Sequence, residues 1–196
     1  MKRKGGTMLV SIIGLNGCGK STQVALLKKH LERKGYRVSV SKAYGEGEKR
    51  CFGNTIGNWK PLIIMLFFKT LQCWQRLKAR RALKRGEIVI ADLWDEYDLA
   101  SRPENKWFYR LLNRAVFAGI VPDLTLFLDL PVETATQRNE KKGKLSFFDR
   151  QPKEYHEKMR QGYLRLVKER NGIVLDASQT KHRLHCQIKS YFLALV

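Results

Sequence analysis

"SIIGLNGCGKST", residues 11–22, places three glycines between an apolar run and a lysine that two hydroxyl residues follow. The stretch fits the pattern G-x-x-x-x-G-K-S/T at Gly14, Gly19, Lys20 and Ser21. Glycines let backbone N–H groups turn inward around a phosphate, and a helix N-terminus adds partial positive charge. The motif follows a predicted strand and opens a predicted helix, which favours a phosphate-binding loop over a glycine-rich turn with an exposed lysine.

The loop pattern assigns a role to each of its polar residues. Lys20 can reach the β- and γ-phosphates of a nucleotide, and Ser21 can bind magnesium. Asp92 directly follows the buried run "IVIA", at the carboxyl edge where open α/β sheets bind ligands, so we expect it to hold the same metal. The residues expected at the nucleotide phosphates are Gly14, Asn16, Gly17, Cys18, Gly19, Lys20, Ser21 and Thr22.

Segments typical of strands and helices alternate along the chain. The predicted strands are 8–13, 36–40, 88–91, 124–130 and 173–176, and the predicted helices are 21–34, 65–85, 104–118, 132–140, 153–170 and 181–194. Such alternation indicates a parallel sheet with helices on both faces. We therefore predict one α/β domain over residues 1–196, a three-layer phosphate-loop NTPase-type fold with a five-stranded parallel sheet and a short lid.

Length and composition suit one cytoplasmic domain. The chain has 196 residues, 43% of them hydrophobic, and no apolar run approaches the ~20 residues that span a membrane. Glycines break the apolar stretch after the basic start, which argues against a secretory signal. The four cysteines are scattered and form no CxxC pair, which favours a reduced protein without structural zinc. They are Cys18, Cys51, Cys73 and Cys186.

The net charge of +20 is the most unusual bulk property. Residues 69–85 hold seven Lys or Arg and no acid, and such a field attracts polyanions. The alternative is a solvated helix face. The sequence shows no clear aromatic platform between the cations, so binding to nucleic acid stays an open alternative.

The segment "RNEKKGKLSFFDR", residues 138–150, joins two predicted helices and is rich in cations. In a phosphoryl-transfer enzyme such a loop can close over the nucleotide and place arginines on the transferring group. We interpret it as a lid that carries Arg138 and Arg150. The alternative is a solvated surface loop.

Five segments in order resemble the thymidylate kinase family of nucleoside monophosphate kinases over nearly the whole chain. They are "GLNGCGKSTQ" (14–23), "RGEIVIAD" (85–92), "GIVPDLTLFLDLPVETATQR" (119–138), "FFDRQPKEYHEKMRQGYLRL" (147–166) and "VLDASQT" (174–180). The resemblance implies ATP as donor, Mg²⁺, in-line γ-phosphoryl transfer, dTMP as acceptor and a possible homodimer. It also implies that Arg138 and Arg150 flank the adenine and phosphates, and that Ala177 and Gln179 border the base.

The acceptor side departs from the family pattern. Leu93 replaces an arginine after the strand acid, Asn16 replaces an acid of the phosphate loop, and Leu71 lies near the place of a base-reading arginine. These changes leave two alternatives: a kinase for another nucleotide, a nucleoside or an alcohol, or a nucleotide-binding regulator whose basic helix binds a polyanion. The candidate acceptor residues are Lys42, Tyr44, Phe68, Trp94 and Tyr97.

Overall fold

A computed structural model of the protein describes residues 7–42, 61–92, 107, 111, 120–143, 145 and 148–195. Within these ranges the strands are β1 Leu9–Ile13, β2 Val38–Lys42, β3 Ile88–Asp92, β4 Leu124–Asp129 and β5 Ile173–Asp176. The helices are α1 Lys20–Arg33, α2 Pro61–Lys84, α3 Val132–Lys141, α4 Lys153–Glu169 and α5 Lys181–Leu193, and a 3-10 turn covers Phe148–Arg150.

The five strands form one sheet in the order β2-β3-β1-β4-β5, and every neighbouring pair is parallel. In this register Asp92 lies between Ile12 of β1 and Lys42 of β2. Asp129 pairs in the same way with Asp176 of β5. The carboxyl ends of all five strands therefore meet at one edge, where ligands bind in sheets of this class.

Helices cover both faces of the sheet because neighbouring side chains on a strand point to opposite sides. Leu9 and its register partner Val89 pack against Ala79 and Ala82 of α2. The next pair along the strands, Val10 and Ile90, belongs to the larger core, which also includes apolar residues of α1 and α5: Val24, Leu27, Leu31, Leu184, Ile188 and Phe192. The predicted three-layer α/β class is confirmed.

Two elements start two or more residues away from the predicted position. β2 begins at Val38 and not at Tyr36, because the Tyr36 amide still donates to the carbonyl of Leu31 at the end of α1. α2 begins at Pro61, four residues before the predicted start, and proline is well suited to a first helical turn. Although α2 has 24 residues, none of the helices in the described ranges is long and apolar enough to cross a membrane. The predicted helix 104–118 lies almost wholly outside the described residues.

Candidate active site

The phosphate loop joins the end of β1 to the start of α1, and two of its glycines are required by close packing. A Cβ atom on Gly14 would lie 2.7 Å from both the sulfur of Cys18 and the carbonyl oxygen of Leu128. Gly17 has a φ of +86°, and a Cβ atom there would lie 2.5 Å from the carbonyl oxygen of Ala135 in α3. The loop is therefore pressed between β4 and α3, and no side chain other than hydrogen fits at either position.

Lys20, the first residue of α1, is buried within the loop. Its Nζ donates to the carbonyl oxygens of Gly14 and Leu15, each at 2.9 Å. Both acceptors are neutral, so these contacts orient the ammonium group without cancelling its charge. The N-cap Gly19 makes no side-chain capping bond and the first turn of α1 has no acid, which leaves a positive helix end beside the lysine. The loop is thus suited to an anion.

Ser21 and Asp92, the two residues predicted to bind magnesium, lie together. The hydroxyl of Ser21 donates to Oδ2 of Asp92 across 3.1 Å, although the two residues are 71 positions apart. Asp92 is the last residue of β3, and its strand partner in β2 is Lys42, an exposed residue. A carboxylate and a hydroxyl thus meet at the carboxyl edge, next to the strand position of a lysine.

A carboxylate that sequence reasoning did not single out connects the loop to the predicted lid. Oδ1 of Asp149, in the 3-10 turn, accepts hydrogen bonds from the side-chain amides of Asn16 at 2.8 Å and Asn139 at 3.1 Å. Asn16, predicted to contact phosphate, therefore bonds through its side chain to this carboxylate. The only signal for Asp149 in the sequence was its position directly before Arg150. The contact itself joins residues 133 positions apart.

The predicted adenine side lies at the ends of β4 and β5. Arg138 of α3 donates through Nη1 to the carbonyl oxygen of Ala177 at 3.2 Å, so the structure brings these two predicted residues together. The amide of Ala177 donates to the carbonyl oxygen of Asp129 at 2.7 Å. Gln179 donates to Gln187 at 3.3 Å, while its own Oε1 is buried without a hydrogen-bond partner in the described structure.

A second contact missed from the sequence fixes α4 against β4. Arg160 donates through Nε to Oδ1 of Asp129 at 2.6 Å and through Nη2 to Oδ2 at 2.9 Å. The hydrogen bond to this carboxylate raises the pKa of Arg160. Asp129 is therefore committed to a structural ion pair. At the end of β5, hydrogen bonds from Ser178 lower the pKa of Asp176.

Cys18 takes part in the loop through its backbone. Its side chain is only 1% exposed and belongs to the main apolar core. Burial raises the pKa of the Cys18 thiol, so the group remains neutral and is a poor nucleophile. We therefore assign it a packing role beneath the loop.

The acceptor residues are only partly within the described structure. Tyr44, Trp94, Tyr97 and Leu93 lie outside it, and for Phe68 it describes the helical backbone but not the side chain. Lys42 is the one predicted acceptor residue whose side chain is described. Thr22 is exposed on the first turn of α1, and Arg150 is exposed at the end of the 3-10 turn, next to Asp149.

Comparison with known proteins gives one family. The model of the thymidylate kinase family matches residues 12–188 of the chain. The thymidylate kinase of Caldanaerobacter subterraneus subsp. tengcongensis is 30% identical over 188 residues, 90% of each chain. The thymidylate kinase of Fervidobacterium nodosum is 32% identical over 198 residues, 95% of this chain and 99% of its own. The similarity spans every segment that builds the site, from the phosphate loop to α5.

Proposed function

Since this chain belongs to the thymidylate kinase family and is therefore a nucleotide phosphotransferase, we propose that it moves the γ-phosphoryl group of ATP to dTMP. The observation that carries the proposal is the convergence of Lys20, Ser21 and Asp92 at the carboxyl edge of one sheet. A phosphate loop alone would suit any nucleotide-binding protein. The strand acid beside the loop hydroxyl is what a phosphoryl-transfer site adds.

The chain's own groups would supply positioning and positive charge. The amides at the start of α1 and the ammonium group of Lys20 would hold the donor phosphates. Arg138 and Arg150 would stabilise the charge that develops on the transferring group. Because phosphoryl transfer needs little covalent chemistry from the protein, fixed donors of this kind would provide most of the rate enhancement.

Magnesium fits the pair formed by Ser21 and Asp92. A hydroxyl and a carboxylate are ligands that Mg²⁺ prefers, and Oγ of Ser21 lies 3.1 Å from Oδ2 of Asp92. Bound there, the ion would neutralise part of the phosphate charge. Ser21 is exposed and Asp92 is half-buried, so a hydrated ion could enter between them.

The lid and the assembly are also proposals. We infer that residues 138–150 form a lid on a single domain, since Asp149 already bonds to Asn16 of the loop. The exposed aromatic and aliphatic side chains Trp74 and Leu77 of α2, at 51% and 40% exposure, suit the homodimer that the family resemblance implies.

One feature of the chain favours an acceptor other than dTMP. Leu93, directly after Asp92, offers no hydrogen bond to an acceptor phosphate, whereas an arginine would offer two. A different nucleotide, a nucleoside or an alcohol is therefore the alternative acceptor. The other alternative is a nucleotide-binding regulator. Such a protein would bind ATP through the same loop and would transfer no phosphoryl group to any acceptor.

An acceptor panel tests these possibilities. The protein is incubated with ATP and Mg²⁺ and with dTMP, dUMP, UMP, CMP, thymidine or glycerol, and new products are identified by mass spectrometry. We expect dTDP. Asp92→Asn should raise the Mg²⁺ concentration that gives half the maximal rate, while Glu154→Gln, an exposed acid on α4, should not. Phosphorylation of another acceptor in place of dTMP would overturn the dTMP assignment. The absence of any phosphorylated product would overturn the assignment as a kinase.

A further inference from the structure

A cavity of about 370 Å³ lies between the edge strand β2 and the C-terminal half of α2. Most of its lining residues belong to β2 and α2, and the other two are Arg85 and Val89. None of them belongs to the phosphate loop. Its volume is within the range of small-molecule sites, roughly 300–1,000 Å³. The cavity is thus distinct from the site described above, although it adjoins the strands that end at Lys42 and Asp92.

The polar lining of the cavity is rich in cations and hydrogen-bond donors. Lys78, Arg81 and Arg85 supply three positive charges, and none of the described lining residues is acidic. Lys78 and Arg81 share one face of α2, because helical neighbours recur every three or four residues. Arg85 directly follows the last residue of α2, and its amide still donates to the carbonyl of Arg81 at 3.1 Å. The remaining polar lining residues are Ser39, Ser41 and Gln75.

One of the three cations is held in place. Arg85 donates through Nε to Oε1 of Glu87 at 2.7 Å, and Glu87 also accepts a hydrogen bond from Ser39. The carbonyl of Arg85 accepts from Nη2 of the exposed Arg37 at 2.5 Å, which brings a fourth cation near the rim. Hydrogen bonds from Arg85 and Ser39 lower the pKa of Glu87. A side chain fixed in this way loses less conformational freedom when it binds an anion.

We propose that this cavity is a second anion site, one that takes a small ligand with several phosphates, such as the phosphate tail of a nucleoside di- or triphosphate. Since Glu87 offsets the charge of Arg85, Lys78, Arg81 and the nearby Arg37 supply the positive charge that a ligand with about three negative charges would meet. Guanidinium groups bind phosphate oxygens through two parallel hydrogen bonds. The cavity is bounded by a strand and a helix, so it suits a compact ligand better than a continuous nucleic-acid strand.

Calorimetric titration with sodium tripolyphosphate separates this site from the phosphate loop. The wild-type protein should show two binding events. Lys20→Ala should remove one of them and leave the other, whereas Arg81→Gln should weaken the second by about tenfold or more, the scale of one lost charge-assisted contact. Lys78→Gln should act like Arg81→Gln. Arg80→Gln is the matched control, because Arg80 is an exposed neighbour on the same helix that does not line the cavity. It should leave both affinities within about twofold.

Competing ligands identify the chemistry. ADP should displace tripolyphosphate from the site that survives in Lys20→Ala, and citrate should do so less well. A single binding event in the wild type would overturn the proposal, because the cavity would then bind no tripolyphosphate. Equal weakening by Arg80→Gln and Arg81→Gln would also overturn it, because it would mean diffuse attraction to the whole basic helix. Binding of an oligothymidylate that depends on Arg81, with no binding of tripolyphosphate, would replace the proposal with a nucleic-acid groove. Because Lys20→Ala reports on the loop separately, either failure is distinguishable from a failure of the kinase assignment.

Discussion

Gly17 is the residue at which the phosphate loop meets α3. Its backbone has a φ of +86°, and its missing side chain leaves room for the carbonyl oxygen of Ala135. Gly35, just after α1, has the same φ of +86° but nothing within 4 Å of a Cβ position. The two glycines therefore share a backbone conformation and differ in packing, which makes them a matched pair.

We expect Gly35→Ala to lower the free energy of unfolding by about 1–2 kcal/mol, the cost of a left-handed conformation for a residue with a Cβ atom. Gly17→Ala should lower it further and should also raise the KM for ATP, because the loop must move away from α3. Urea denaturation and steady-state kinetics measure the two effects. Equal destabilisation by both variants, with an unchanged KM, would contradict the account of how the loop is packed.

Candidate site residues could be singled out from the sequence where they belong to a local pattern. Lys20 and Ser21 were singled out because the loop motif has fixed spacing, and Asp92 because an acid at the end of a buried strand must reach the carboxyl edge. The structure brings Ser21 and Asp92 into contact. Asp149 was not singled out, because its contact with Asn16 depends on how a distant turn packs onto the loop. Hydrogen bonds across more than a hundred residues leave no periodic signal in one sequence.

α4 packs on the core through Met159, Tyr163 and Val167 and also carries a partly buried ion pair. Arg160 and Asp129 are about one-quarter exposed, and the guanidinium makes two hydrogen bonds to the carboxylate. By contrast, Lys153 at the start of the same helix pairs with Glu133 on α3, and both side chains are more than half exposed. The same helix thus offers a partly buried pair and an exposed one.

We expect Arg160→Ala to lower the free energy of unfolding by about 1–2 kcal/mol, a hydrogen-bonded charge contact discounted for the solvent that still reaches it. Lys153→Ala should change it little, because exposed pairs contribute little. A double-mutant cycle of Arg160→Ala with Asp129→Asn, followed by urea denaturation, should show a positive coupling energy. A coupling energy near zero would show that the pair does not anchor α4.

The elements that lie within the described residues were predicted close to their observed places, because each has the hydrophobic pattern typical of its type. β3 is wholly buried except for its last residue, and it appeared in the sequence as the apolar run before Asp92. β2 was placed two residues too early because Tyr36 continues the alternating pattern while its amide still serves the end of α1. Hydrophobic pattern determines which face a strand buries, and the hydrogen bonds of the preceding helix determine where the strand can start.

For the molecule as a whole, two histidines link α1, which follows the phosphate loop, to α5, the last helix of the described chain. His30 of α1 and His185 of α5 meet edge to face with ring centroids 6.3 Å apart. In the described structure Nε2 of His30 and Nδ1 of His185 are buried without a hydrogen-bond partner. Burial, reinforced by nearby cations, lowers the pKa of both rings: Lys189, Lys34 and Arg33 act on His30, and Lys189, His30 and His182 act on His185.

Stability should therefore fall in mild acid. Protonation is harder in the folded chain than in the unfolded one, so the histidines contribute stability above the unfolded pKa of about 6.5 and lose it as pH falls through the lower folded value. The midpoint of urea denaturation should drop more between pH 7.5 and 5.5 in the wild type than in the double variant His30→Gln, His185→Gln. His156→Gln is the control, because this histidine of α4 is not among the groups that act on either ring, and it should follow the wild type. Equal drops in all three proteins would contradict this prediction.

The most direct test of the phosphotransferase assignment is the rate of dTDP formation from ATP and dTMP by the wild type and by Lys20→Ala. Lys20 lies inside the loop with its ammonium group oriented by Gly14 and Leu15. Removal of one preorganised donor to the transferring phosphate should lower kcat by about 10²–10³-fold. Arg80→Gln should leave kcat unchanged, because Arg80 is an exposed residue on α2. A wild-type protein that forms no dTDP, or a Lys20→Ala variant that forms it at the wild-type rate, would contradict the account.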